Sequence, residues 1–209
     1  MIVVAACFRS ETRKIRPRAG VRVIHTGMGA SAAVDLSRAL GDGPLPDLLV
    51  STGFCGATAP DLRVGDLVIA CEVRSEGQAE RFRRALAEKA CRILARHGIP
   101  SRLAPVECPT RIARRIDKEK LAARGIAAVD LETATLACWA AARSVPFVSC
   151  RAVLDTAGED LPFPPDRPLW FSVLQHPGAT ARVAKAAGVA AERLGAAINC
   201  LVEAWEADA

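Results

Sequence analysis

Short apolar runs that end on glycine or on a carboxylate recur along this chain, and segments with helical spacing lie between them. Ile2 to Ala6 is the first run. Val21 to Thr26 leads into Gly27-Met28-Gly29, Leu48 to Thr52 leads into Gly53-Phe54-Cys55-Gly56, and Phe147 to Leu154 ends at Asp155. Runs of about four to eight residues bounded by turn signals suit strands buried on both faces. Helical spacing covers Ser31 to Leu40, Gln78 to His97, Ile112 to Ala123, Glu132 to Arg143, and a closing stretch from Gly178 to Glu206. Alternation of this kind predicts an α/β fold. In such folds ligands bind beyond the carboxyl ends of strands, where the glycines and Asp155 stand, with Glu132 at a helix start nearby.

The chain has 209 residues, enough for one domain (1–209) with a substantial core. Its apolar and charged fractions, 51% and 24%, exclude disorder over most of the length. Ile2 to Cys7 lacks the basic start and the length of a signal peptide. No stretch of about 18 uncharged apolar residues occurs, so a cytoplasmic, soluble protein is expected. None of the eight cysteines forms a C-x-x-C pair, and most lie in apolar runs. Reduced thiols and no metal site are expected. The net charge of +5 includes a basic run at Arg111, Arg114, Arg115, Lys118, Lys120 and Arg124. It has no interleaved aromatic residues to stack bases, so it is taken as a solvated helix face and nucleic acid is not expected as a partner.

Gly27-Met28-Gly29-Ala30-Ser31-Ala32 satisfies G-x-G-x-x-A, but it follows the second strand and no acid ends the next one, where a dinucleotide ribose would be held. The glycine pair serves either as a tight turn or as a source of backbone N–H groups for an anion or a ribose hydroxyl. Glu132 alone could be a helix-dipole partner, and Asp155 alone a cap. Together with two glycine motifs they suit cleavage of an N-glycosidic bond. That chemistry needs hydroxyl acceptors to hold the sugar, an acid for the leaving base and an activated nucleophile. Glu132, Asp155 and an N-terminal acid such as Glu11 offer the three.

The order and spacing of four motifs resemble the nucleoside phosphorylase and nucleosidase superfamily, which includes purine nucleoside phosphorylase and methylthioadenosine/S-adenosylhomocysteine nucleosidase. The motifs are Thr26-Gly27-Met28-Gly29, Thr52-Gly53-Phe54-Cys55-Gly56 with Val64-Gly65-Asp66-Leu67-Val68, Ala128-Val129-Asp130-Leu131-Glu132-Thr133-Ala134, and Pro146-Phe147 through Arg151-Ala152-Val153-Leu154-Asp155. The resemblance implies a three-layer αβα sandwich with a mixed central sheet, no organic cofactor, and a homo-oligomer, a dimer first. It implies that Glu132 binds the ribose hydroxyls with Leu131 packed on the sugar, that Asp155 protonates the purine, and that Glu11 activates water. Gly27, Gly29, Thr52, Gly53, Phe54 and Gly56 would line the substrate and nucleophile pocket.

Two departures from the family pattern bear on the nucleophile. Val50-Ser51-Thr52 lacks the arginine that phosphorylases carry there, and Phe54 is bulkier than the usual small residue. Hydrolysis is therefore favoured over phosphorolysis, for which Gly29, Arg9 and Arg13 would have to hold phosphate as co-substrate. Glu107-Cys108-Pro109, Lys118-Glu119-Lys120-Leu121 and Leu161-Pro162 resemble the hopanoid-associated branch, which implies adenine removal from adenosylhopane. For such a lipid nucleoside Phe163, Leu169, Trp170, Phe171 and Leu174 would line an apolar path, and the basic run would give access at a membrane surface. The same five residues also suit a core helix. A rival of another class is a catalytically silent nucleoside-binding module.

Overall fold

The computed structural model describes residues 1–75, 78–80, 84–162 and 177–207. Eight strands and six α-helices lie among them. In chain order they are β1 (Ile2–Ala6), α1 (Arg9–Thr12), β2 (Val21–His25), α2 (Ala32–Leu40), β3 (Leu48–Ala57), β4 (Leu67–Ser75), β5 (Gln78–Glu80), α3 (Arg84–Arg96), β6 (Ser101–Glu107), α4 (Arg115–Ala123), β7 (Ala128–Val129), α5 (Thr133–Ala141), β8 (Phe147–Asp155) and α6 (Pro177–Ala207). The five aromatic and apolar residues assigned to a lipid path, Phe163 to Leu174, fall outside the described residues.

The strands form one mixed sheet with helices on both faces, as expected. β1 runs parallel to β2 and β3, β3 parallel to β8, and β4 parallel to β6, which in turn runs parallel to β7. β8 meets β4, and β7 meets β3, antiparallel. The path β3–β8–β4–β6–β7 thus returns to β3, so part of the sheet closes on itself. β3 makes this possible by its length: Leu48–Ser51 pair with β1, and Gly56 and Ala57 further along pair with β7.

One-by-one alternation along the strands divides the core. Val3, Ala5, Leu49 and Phe147 pack with Leu36 of α2 and with Leu136 and Trp139 of α5. Ile2, Val4, Leu48, Val50, Val148 and Cys150 face α3 and α6. From α6 the residues Ala190, Leu194, Ala197, Ile198, Leu201 and Val202 form the apolar stripe that meets them. The closed part is filled by small side chains, among them Ala57, Val68, Ala70, Ala104, Val106, Ala128 and Val153.

Three sequence expectations change. The helix anticipated from Gln78 begins at Arg84, because Gln78–Glu80 pair antiparallel with the end of β4. Gly53 to Gly56, expected to follow a strand ending at Thr52, lie within β3, with a register shift between Cys55 and Gly56 against β8. The basic run is not wholly solvated, because Lys118 is 1% exposed.

Candidate active site

The odd-numbered residues of β8 face away from α6, and one of them is a cation. Arg151 is 1% exposed, yet its guanidinium is surrounded by acceptors. Nε lies 2.7 Å from Asp130 Oδ2 and donates to Thr133 Oγ1 at 3.0 Å. Nη2 donates to Ser51 Oγ at 2.7 Å, and Nη1 to the Thr52 carbonyl at 3.3 Å. Glu132 Oε2 stands 3.8 Å from Nη1. A buried arginine needs this saturation, since a desolvated charge without partners is strongly unfavourable.

Asp130 is the second half of this device. Its Oδ1 accepts from the amides of Glu132 (3.1 Å) and Thr133 (3.0 Å) and from Cys108 Sγ (3.0 Å). It thereby satisfies open donors at the start of α5, as a capping carboxylate does, and fixes where Glu132 points. Glu132 is itself 6% exposed and accepts from the Gly29 amide at 3.0 Å. Burial pushes its carboxyl above the ordinary range, against the opposing pull of Arg151.

Glu11 reaches the same region from the short helix α1. Its Oε2 accepts from the Phe8 amide at 2.8 Å and its Oε1 from the Phe54 amide at 2.9 Å, and it is 3% exposed. Burial raises its carboxyl too, while the amides and Arg151 pull it down. Cys7 feels both acids: burial, Glu132 and Glu11 together push its thiol to about 12, so it is no nucleophile at neutral pH.

Gly53 is what lets Glu11 and Arg151 approach the strand. Its φ is +152°, and a Cβ there would lie 2.5 Å from Arg151 Nη1 and 2.8 Å from Glu11 Oε1. Neither neighbour is free to move. Gly53→Ala is therefore expected to cost about 1–3 kcal/mol of stability and to lower the urea midpoint; an unchanged midpoint would contradict this packing.

Asp155 ends β8 on the far side of Gly56, whose missing Cβ would stand 3.1 Å from Asp155 Oδ2 and 3.2 Å from Lys118 Cε. The Lys118 ammonium binds Asp155 Oδ2 and also donates to the carbonyls of Thr156 (2.8 Å) and Glu159 (2.9 Å). Burial raises the Asp155 carboxyl, Lys118 opposes that, and Glu159 and Asp160 add to the rise. Asp155 also borders a cavity of about 470 Å³, whose wall includes Leu154, Leu161, Pro162 and Val183.

The remaining expected residues are placed as follows. The amide of Gly27 donates to Asp35 Oδ2 at 3.0 Å and that of Gly29 to Glu132, so both amides offered to a ligand are taken by carboxylates of the chain itself. Thr52 has a buried hydroxyl without a hydrogen-bond partner among the described residues. Leu131 is half-buried and Arg9 exposed, while Arg13 approaches Gly188 of α6. Three residues that the sequence reading did not place in the site belong to its framework: Asp130, Arg151 and Lys118. A lone arginine within an apolar strand was a signal for the first two, because such a charge requires a buried partner. Lys118 gave none.

With this geometry in hand, comparison with known proteins is direct. Residues 5–198 match the model of the phosphorylase superfamily, and the chain belongs to that superfamily. A 5'-methylthioadenosine/S-adenosylhomocysteine nucleosidase of Geobacillus kaustophilus is 28% identical over 184 residues, covering 76% of this chain and 75% of the relative. Among solved structures, futalosine hydrolase of Helicobacter pylori superposes with a TM-score of 0.77 at 14% identity, covering 97% of both chains. The 5'-methylthioadenosine/S-adenosylhomocysteine nucleosidase of Streptococcus pneumoniae gives 0.75 at 18%, covering 98% of this chain and 99% of that one. These likenesses establish the fold. Among the described residues no helix is long and apolar enough to cross a membrane.

Proposed function

We propose that the protein is a nucleosidase, cleaving the N-ribosidic bond of a purine nucleoside, adenine first, that carries a 5′ substituent, with water as nucleophile. The observation that carries this reading is the set of three buried carboxylates, Glu11, Glu132 and Asp155, each raised by burial and each held by named donors at strand and helix ends. Glu11 takes a proton from the attacking water. Glu132 accepts from the ribose hydroxyls as positive charge grows on the sugar. Asp155 gives a proton to the base as the bond's electron pair moves onto it. The names of the curated relatives support adenine and the 5′ substituent.

Water is favoured over phosphate on electrostatic grounds. A phosphate dianion at the glycine motifs would meet two buried acids, with the Gly29 amide already given to Glu132 and the donors of Arg151 already occupied. Among the described residues Arg9 is exposed and Arg13 approaches Gly188 of α6, and no contact places either at the glycine motifs. No organic cofactor enters the scheme, and a homodimer is the assembly expected.

Chromatography of free base, after incubation with adenosine, 5'-methylthioadenosine, S-adenosylhomocysteine, adenosylhopane and inosine, tests the substrate class. Adenine release, fastest from a 5′-substituted member, is the expected result. Release of hypoxanthine alone, or no release from any member, would overturn the reading. The pH profile follows from the shifts. Activity should rise as Glu11 loses its proton and fall as Asp155 loses its own, with both limbs above the ordinary carboxylate range. Glu11→Gln should abolish the acid limb along with most of the rate; an acid limb that persists in this variant would assign the base elsewhere.

A further inference from the structure

We propose that Lys118 is a positioning residue that sets the pH range over which Asp155 can hand its proton to the departing base. The proposal rests on the nucleosidase reading and concerns a residue that acts through Asp155 without touching substrate.

The geometry is that of a fixed cation. The ammonium of Lys118 has three protons and three acceptors, namely Asp155 Oδ2 and the carbonyls of Thr156 and Glu159, and the side chain is 1% exposed. The lysine comes from α4, whose neighbouring cations Arg115 and Lys120 are exposed. Its burial therefore has a local cause, and that cause is the end of β8. Gly56 leaves the space through which Lys118 Cε and Asp155 Oδ2 come together.

The charges facing Asp155 divide unequally. Glu159 and Asp160, on the segment after β8, and burial itself all favour its neutral form. From β3 the neighbour is the Cys55 thiol, which is pushed well up by burial and stays neutral. Arg182 of α6 acts on Glu159. Arg182 and Lys185 of α6 line the cavity that Asp155 borders, and Lys118 from α4 is, among the described residues, the cation bonded to it. A general acid works best when its pKa lies near the working pH, since one that holds its proton too tightly donates poorly. An opposite charge at bonding distance shifts a carboxyl by about 1–3 pH units, enough to bring a buried acid back into that window.

The test compares Lys118→Met and Lys118→Arg with wild type, using hydrolysis of 5'-methylthioadenosine followed across pH. In Lys118→Met the alkaline limb of kcat/KM should move up by about one unit or more, with a fall in kcat at neutral pH of up to about tenfold for each unit moved. Lys118→Arg keeps the charge and should leave the limb near its wild-type position. A limb that stays in place while the rate falls equally at every pH would reduce Lys118 to a structural role and overturn the proposal.

A second measurement needs no turnover. The ¹³Cγ resonance of Asp155 should titrate about one unit or more higher in Lys118→Met than in wild type, and near the wild-type position in Lys118→Arg, because the cation beside the carboxyl holds it down. An unchanged titration would overturn the coupling. Absence of turnover in wild type would count against the nucleosidase reading alone, and the resonance would still decide the role of Lys118.

Discussion

Asp155→Asn is expected to lower kcat by about 10²- to 10⁴-fold while leaving nucleoside binding within a few-fold of wild type. The amide matches the carboxyl in size and still accepts from Lys118 through its oxygen, so the end of β8 keeps its packing. What is lost is the proton that the base takes as the glycosidic bond breaks. That interaction is made in the transition state, so turnover suffers while binding does not. Isothermal titration with 5'-methylthioadenosine beside a steady-state assay separates the two. Equal loss of binding and turnover would make Asp155 a binding residue. Retention of both would remove it from the chemistry.

Arg151→Met is expected to be the most damaging single change to stability, costing about 3–5 kcal/mol. The guanidinium bonds to Asp130, Thr133, Ser51 and the Thr52 carbonyl and stands beside Glu132. Its removal leaves buried acids without a counter-charge. The double variant Arg151→Met with Asp130→Leu should recover part of the loss, because replacing both members of a buried pair by apolar groups is far less harmful than removing one. Urea unfolding of the three proteins measures this. A single variant within 1 kcal/mol of wild type would contradict the account of Arg151 as the electrostatic centre of the framework.

Much of this arrangement was legible in the sequence, for identifiable reasons. Strands buried on both faces must be apolar throughout, so Ile2–Ala6 and the run ending at Asp155 stand out without any alignment. Glu132 and Asp155 were recognisable as acids at a helix start and a strand end, and they occupy those places. Other features depended on tertiary pairing. Gln78–Glu80 directly precede a helical stretch in sequence, and the antiparallel partner β4 makes them a strand. The glycines after Thr52 look like a loop, yet pairing with β8 on one side and β7 on the other keeps them in β3. β7 has two residues, too few for any pattern, and its pairing closes the sheet.

The cations taught the opposite lesson from the acids. Arg151 could be suspected, since a charge in an apolar run has to be paired. Lys118 could not, because Arg114, Arg115, Lys118 and Lys120 are alike in sequence and differ only in what the fold places over them. The taken amides of Gly27 and Gly29 were equally hidden, as their partners Asp35 and Glu132 lie on separate helical elements.

The central claim is that water is the nucleophile at an N-ribosidic bond. It is tested most directly by incubating the protein with 5'-methylthioadenosine in phosphate-free buffer made with H₂¹⁸O and analysing the products by mass spectrometry. The account predicts adenine together with a reducing 5-methylthioribose, formed without phosphate and bearing one ¹⁸O at its anomeric carbon once corrected for exchange with solvent. No cleavage until phosphate is added, with a ribose 1-phosphate derivative as the sugar product, would contradict it.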